Sequence, residues 1–299
     1  MSHALVSNPP AERRGAVSAL RDYLSMLKLR VVALLVLTAV GAMFPAARGW
    51  PTLSAVVGVA LGGTLAAGGA ESINAWFDRD IDRVMSRTSR RPLPSGRIPP
   101  WHALVMGLTL NLLAFAVLAL LANVLAAVLA LVGTAIYVLV YTMWLKRLTP
   151  QNIVIGGASG AMPPLVGWAA AAGHLDLTAL ALFLVVFFWT PPHFWALAQI
   201  LKRDYADARV PMMPVVQGDR TARRQSVVYA ILAVAASLVP YLTHHEGAFY
   251  LVGAVVLGAI LIGFCLVNLG GQRTRQLWVF SMAYLGLLFT LLALGSFLL

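Results

Sequence analysis

Residues 74–97 read Asn74-Ala-Trp-Phe-Asp-Arg-Asp-Ile-Asp-Arg-Val-Met-Ser-Arg-Thr-Ser-Arg-Arg-Pro-Leu-Pro-Ser-Gly-Arg97, an island of charge that follows a long apolar run. It holds three of the eleven acids and six of the 22 bases in a chain of 299 residues. Asn74, Asp78 and Asp82 recur at every fourth position. Each such step turns an α-helix by about 40°, so the three side chains share one stripe about 12 Å long. A stripe of oxygen ligands suits hard divalent cations. Arg79 and Arg83 repeat the spacing on the neighbouring stripe, and guanidinium forks match phosphate oxygens. Together the stripes predict a surface for a metal-bound diphosphate. In a water-soluble protein the same alternation is usually a solvated helix face. Here it stands where an apolar span ends, in a chain with few acids, and polar groups so placed mark function.

The surroundings make that span a membrane span. With 60% hydrophobic and 11% charged residues and a mean hydropathy of +0.82, there is too little polar surface to cover a water-soluble domain. The fold class expected is all-α, a polytopic bundle of nine transmembrane helices around a central cavity. Windows of about 20 apolar residues place the spans near 28–46, 53–75, 102–122, 124–144, 152–172, 177–200, 226–243, 248–269 and 277–298. The expected organisation is a tail and interfacial segment over 1–27 and a single nine-helix domain over 28–299. The polar first 27 residues predict no cleavable signal.

With nine spans the termini face opposite sides. The N-terminal segment and the 2/3, 4/5, 6/7 and 8/9 loops carry 21 Lys and Arg residues, against Arg48 alone on the other side. By the positive-inside rule the N-terminus is cytoplasmic and the C-terminus lies across the bilayer. The same rule accounts for most of the net charge of +11, so the excess of bases predicts no nucleic-acid partner, and no nucleic-acid motif accompanies it. Cys265 is the only cysteine and sits in an apolar span, which leaves no disulfide and no thiolate metal cluster.

Further along, Gly58-x-x-x-Gly62, Gly68 and Gly69 predict close helix packing in span 2. Glu71, one turn before the island, reads either as a further ligand or as a group reaching for the interface. Pro92, Pro94, Pro99 and Pro100 prevent a continuous helix and predict a structured cap over the membrane face. Spans 3 and 4 are nearly pure Leu, Ala and Val, as lipid-facing helices are, until Lys146 and Arg147. Those two bases read equally as phosphate ligands or as positive-inside anchors. Pro163-Pro164 predicts a kink in span 5 that lines a cavity. Span 6 ends in Trp189-Thr-Pro-Pro-His-Phe-Trp195, followed by Lys202, Arg203, Asp204, Tyr205 and Asp207, a second acidic cluster on the same face. The loops 76–100 and 201–224 each carry six bases and three acids, and facing each other they would surround a diphosphate with positive charge. His193 reads as a partner for backbone groups freed by Pro191 and Pro192, and Trp195 as an interfacial aromatic. His244, His245 and Glu246 sit in a short loop on the other side, where surface exposure is the expected role.

Asn74-x-x-x-Asp78-x-x-x-Asp82 with Arg87-Thr88 and Arg91-Pro-Leu-Pro-Ser-Gly96 resembles the first acidic motif of the UbiA-type intramembrane prenyltransferases. Tyr141-Thr-Met-Trp-Leu-Lys-Arg-Leu-Thr-Pro150, Gly160-Ala-Met-Pro-Pro-Leu-Val-Gly-Trp168, Pro191-Pro-His-Phe-Trp195 and Val210-Pro-Met-Met-Pro-Val-Val216 are similar, more narrowly, to the haem-farnesylating branch of that family. The resemblance implies a Mg²⁺-dependent transfer of farnesyl from farnesyl diphosphate to a vinyl group of haem B in a bacterial plasma (inner) membrane. It implies Asn74, Asp78, Asp82 and Asp204, with Asp207, as metal ligands, the first four also catalytic. Arg79, Arg83, Arg87, Arg91, Lys146, Arg147 and Lys202 become candidates for diphosphate or for haem propionates, and His193 and Trp195 for the haem. A downstream haem A synthase or oxidase assembly factor would be the partner. Two departures stand beside the site: Lys28-Leu29-Arg30 where a Lys-Pro-Arg-like run is expected, and Ala208-Arg209-Val210 where relatives tend to carry Ala-Gly-Val. The alternatives are a related enzyme prenylating an aromatic quinone precursor such as 4-hydroxybenzoate, which would leave His193 without a special use, and a transporter.

Overall fold

Apolar runs become helices here because residues at their ends satisfy the first free N–H groups. Asn123 Oδ1 accepts from Ala126 N and Asp176 Oδ1 from Ala179 N, both at 2.9 Å, and Thr52 caps Ala55 N in the same way. Pro100 occupies a first turn, where a missing N–H costs nothing. A computed structural model describes residues 15–298. The tail with Pro9, Pro10, Arg13 and Arg14 lies outside the described residues.

In chain order the elements are α1 (Ala16–Met26), α2 (Leu29–Ala47), α3 (Leu53–Phe77), α4 (Arg79–Val84), α5 (Pro100–Leu121) and α6 (Val124–Ala135). They continue as α7 (Asn152–Ala172), α8 (Leu177–Ile200), α9 (Lys202–Asp207), α10 (Met213–Val216), α11 (Asp219–Ser237), α12 (Val239–Leu242), α13 (Ala248–Val267) and α14 (Thr274–Gly295). Between α6 and α7 the chain runs as a π-helix over Ile136–Trp144 and one 3₁₀ turn over Leu145–Arg147. Among the described residues, nine helices are long and apolar enough to cross a membrane. They match the expected spans closely, except that the seventh starts at Asp219, about two turns before the expected residue 226. Its charged first turns, with Arg220, Arg223 and Arg224, hide it from a hydropathy window.

α7 and α8 form the centre of the bundle, with 67% and 61% of their spanning windows buried, whereas the spans built on α5 and α6 reach only 22% and 28%. Small residues decide this, because lipid offers no apolar drive for helices to associate and close backbone approach must supply it. Gly167 of α7 lies directly against the Ala39 backbone of α2 and has no room for a Cβ. α3 and α5 meet through two glycines: a Cβ on Gly69 would stand 2.8 Å from the Gly107 carbonyl oxygen, and one on Gly107 2.7 Å from that of Gly69. Pro163, Pro164, Pro191 and Pro192 lie inside continuous helices rather than ending them.

The helix ends sort the charge. Lys28, at the left-handed φ of +48°, turns the chain from α1 into α2 and pairs with Glu71 of α3. The C-terminal ends of α3 and α8, the 3₁₀ turn and the N-terminal end of α11 share this face. Among the described residues, Arg48 alone of the Lys and Arg side chains stands at the opposite face.

Candidate functional site

The acid stripe survives a break in the helix that carries it. Asp78 joins α3 to α4 with φ −85° and ψ 9°, yet its N–H still donates to Asn74 O and its carbonyl accepts from Asp82 N, each at 2.8 Å. The period of four therefore runs through the join, and Asn74, Asp78 and Asp82 are 5%, 2% and 7% exposed. Asn74 Nδ2 donates to Asp78 Oδ2 at 2.7 Å and to Thr142 Oγ1 at 3.0 Å, which leaves its carbonyl oxygen as a ligand. The neighbouring stripe goes the other way. Arg79 and Arg83 are exposed, and Arg79 folds back over Trp76 to donate to its carbonyl.

The cations that meet Asp78 and Asp80 come from the end of the π-helical span instead. Lys146 pairs with Asp78 Oδ2, and Arg147 Nη2 stands 3.6 Å from Asp78 Oδ1. Arg147 also forks onto Asp80 at 2.7 and 2.8 Å, and that hydrogen-bonded pairing holds the Asp80 carboxyl down at about 2. One turn along, Arg91 pairs with Asp82 at 3.1 Å. The wide π turns, a form found mostly at functional sites, set Tyr137 stacked on Tyr141 with centroids 5.6 Å apart. Gly156 lets α7 close on Tyr141, since its Cβ would stand 2.9 Å from that residue's Cβ.

The second acidic stretch reaches the first through one side chain. Ser86 Oγ donates to Asp204 Oδ1 at 2.8 Å across 118 residues of sequence. Ile81 and Met85 of one loop pack with Val210 and Met212 of the other in a shared apolar cluster, so the two loops form one cap. Asp207 faces out, 59% exposed, and at 4.0 Å its nearest cation is Arg203 of its own helix. Lys202 is held by Asp219 at 3.0 Å, at the start of α11.

The oxygen set can be tested for a hard cation. Asp78 Oδ1 and Asn152 Oδ1 are buried without a hydrogen-bond donor, and a buried oxygen in that condition is open to a ligand. Carboxylate and amide oxygens suit Mg²⁺, and Asn74 and Asp78 supply one of each on adjacent turns. Among the described residues no three His, Cys, Asp or Glu side chains converge on one point, so a cation here would draw on Asn74 and on groups outside the chain as well. That chemistry fits a diphosphate, which brings its own oxygens.

His193 sits deeper and does not serve the backbone freed by the prolines. Its Nδ1 lies 2.8 Å from Ser281 Oγ of α14, and its ring stacks on Trp189 with centroids 4.5 Å apart. Ser281 Oγ also bonds Trp278 O at 2.7 Å, so Nδ1 is the engaged ring nitrogen and Nε2 has no hydrogen-bond partner among the described residues. Trp195 is fully buried with Met213 and Ala222, in contact with Val154 and Tyr229, which makes it packing between α7, α8 and α11. Sequence reading passed over Thr142, Asp80, Ser86 and Ser281. Asp80 was legible as an acid inside the island, whereas the other three are hydroxyls whose partners lie 68, 118 and 88 residues away, and nothing local marks them.

Residues 34–290 match the UbiA prenyltransferase family. The chain is 50% identical over 282 residues to a protoheme IX farnesyltransferase of Roseiflexus sp. (strain RS-1), covering 93% of this chain and 53% of that protein. It is 46% identical over 300 residues to the protoheme IX farnesyltransferase of Gloeobacter violaceus, covering 99% and 98%. The chain thus spans about half the length of the Roseiflexus relative and nearly all of the Gloeobacter one. In fold it resembles a UbiA homolog from Archaeoglobus fulgidus, solved with GPP and Mg²⁺, at a TM-score of 0.63 and 19% identity over 91% of this chain and 99% of that one. On the match over 34–290 and on the Gloeobacter relative covered almost end to end, the chain belongs to the UbiA prenyltransferase family.

Proposed function

We propose that the protein transfers a farnesyl group from farnesyl diphosphate to a vinyl group of haem B, giving haem O and diphosphate, at the cytoplasmic face of a bacterial plasma membrane. The observation that carries this reading is the buried Asp78, held between Asn74, Lys146 and Arg147 and joined through the Ser86–Asp204 bond to the second acidic stretch. The choice of donor and acceptor rests on the likeness to the protoheme IX farnesyltransferases. The likeness does not favour a phenolic acceptor, and family membership sets the transporter aside.

Asn74, Asp78, Asp82 and Asp204 would hold Mg²⁺, which when bound neutralises charge on the departing diphosphate. Lys146 and Arg147, already directed at this end of the stripe, receive diphosphate oxygens in charge-assisted bonds that strengthen as negative charge accumulates in the transition state. The allylic C–O bond breaks and its electron pair leaves with diphosphate. The terminal vinyl carbon of haem B then attacks the farnesyl C1, and water adds to the adjacent carbon with loss of a proton, leaving a hydroxyethyl carbon on the ring. The cap formed by α4 and the α9–α10 segment keeps water from the allylic cation before the vinyl carbon reaches it. His193, by its free Nε2, is the group for the haem iron.

The test incubates the full chain in lipid with farnesyl diphosphate, haem B and Mg²⁺, and follows diphosphate release and the mass of the extracted haem. The reading expects haem heavier by one farnesyl group and one hydroxyl, with equimolar diphosphate. Unchanged haem beside a prenylated phenolic acceptor would overturn it.

A further inference from the structure

A second cationic feature lies on the same face, away from Lys146 and Arg147. α1 and the turns after α4 border an open pocket of about 670 Å³ lined by Arg21, Arg87, Arg90, Arg91 and Arg97, with Asp22 as its one carboxylate. Asp22 is taken by Arg97 through two bonds of 2.9 and 3.1 Å, and Arg91 by Asp82. Arg21, Arg87 and Arg90 have no carboxylate partner among the described residues. Positive-inside topology explains why bases lie on this side of the bilayer. It does not explain why several line one cavity, where like charges repel unless an anion joins them.

Position separates this pocket from the diphosphate site. Along the acid stripe Asp78 meets Lys146 and Arg147, one turn later Asp82 meets Arg91, and the pocket opens beyond Arg91. A narrow crevice lined by Lys28, Asp82 and Arg91 adjoins the pocket, sharing Arg91 with it. The flank of α1 beside the pocket exposes Val17, Leu20 and Leu24 at 82%, 59% and 45%. That spacing makes α1 an interfacial helix with one side toward acyl chains, so the arginines stand at the level where the apolar body of an amphiphile ends and its charged tips begin. A soluble anion needs no such height; a macrocycle dissolved in the bilayer with two carboxylates does.

We propose that this pocket is the docking site for the carboxylates of the prenyl acceptor, with Arg21, Arg87 and Arg90 receiving them through bidentate bonds. The proposal rests on the reading of haem B as acceptor and adds how haem is oriented: propionates held beyond Arg91, the vinyl edge directed toward the acid stripe.

The experiment uses the full chain in phosphatidylcholine nanodiscs and measures binding of protohaem and of its dimethyl ester, which keeps the macrocycle and lacks the charges. The wild type is expected to prefer protohaem to the ester. The double variant Arg21→Gln/Arg90→Gln should bind protohaem roughly tenfold more weakly, a few-fold for each partly exposed pair. It should bind the ester as the wild type does, which also reports an intact fold, and keep the wild-type KM for farnesyl diphosphate. Equal wild-type affinity for acid and ester would overturn the assignment. So would a raised KM for farnesyl diphosphate with haem binding unchanged, which gives the arginines to the diphosphate. Loss of the wild-type preference when phosphatidylglycerol is added would give the pocket to a lipid headgroup. Haem farnesylation without any preference for the acid sinks the pocket alone, whereas no farnesylation of haem by the wild type sinks the proposed function.

Discussion

Asp78 and Glu246 are each 2% exposed, at opposite faces of the same bundle, and the protein tolerates them in different ways. Asp78 is surrounded by Lys146, Arg147 and the amide of Asn74. Glu246 has only a hydroxyl, Ser296 Oγ at 3.0 Å, and its other oxygen has no donor. Burial pushes the Glu246 carboxyl up to about 8, so at neutral pH it keeps its proton. A buried acid needs either a counter-charge or a proton. The face of the proposed site pairs its acid with cations, which a diphosphate can recruit; the other face pairs none with Glu246 among the described residues, and that acid is a neutral packing group. The short loop expected to expose Glu246 instead tucks it against Gly295.

The sharpest way to break this contrast is Asp78→Ala. It should lower diphosphate release about 10³-fold, at the upper end of what one preorganised electrostatic group contributes, while the helical circular dichroism stays near wild type and thermal stability falls because Lys146 loses its partner. Full activity in this variant would remove the centre of the proposed site.

Lys146→Met comes next and separates the cation's two roles. Leaving Asp78 buried without its lysine should cost about 3–5 kcal/mol of stability and about 10²-fold in rate. Adding Asp78→Asn to Lys146→Met should restore the thermal midpoint and not the activity. A double variant as unstable as the single would mean that Lys146 stabilises by packing rather than by pairing.

Ser86→Ala tests the link between the two acidic stretches. Loss of one hydrogen bond of about 0.5–1.5 kcal/mol predicts a rate reduction of about 2- to 12-fold, read as diphosphate release at saturating haem. No change would make the Ser86–Asp204 contact incidental.

Glu246→Gln should leave transfer unchanged and alter only how stability varies with pH. The folded chain holds this proton up to about 8, whereas an unfolded glutamic acid releases it near 4.5. Between those values the folded state binds more protons. Stability is therefore fully present below about 4.5 and declines as pH rises toward 8. The variant should flatten that decline in thermal-inactivation curves recorded across the interval, and an unaltered slope would show that Glu246 does not titrate as its burial requires.

Much of the charged site could be read before the fold was known. The Asn74, Asp78 and Asp82 stripe is a matter of helical period, and it holds even through the break at Asp78 because the hydrogen bonds on both sides are kept. The arginine stripe beside it obeys the same period and still turns outward, since period sets which residues share a face and not which way that face points. Trp195 illustrates the same limit: an aromatic at a span end reads as interfacial, and only the packing of α11 closes over it.

The class of the protein, the number of spans and the residues of the acid stripe could all be read from the chain alone. Transfer free energy adds residue by residue along an apolar run, and helical period is a property of the local backbone, so neither needs a partner. Packing alone settles that Lys146 rather than Arg79 meets Asp78, that Ser86 reaches Asp204, and that Ser281 engages Nδ1 of His193. Those pairings span 68, 118 and 88 residues. They depend on how closely glycine-bearing helices approach and on the rotation that a π-helical stretch gives its last turn, and both are settled only when the helices pack against one another.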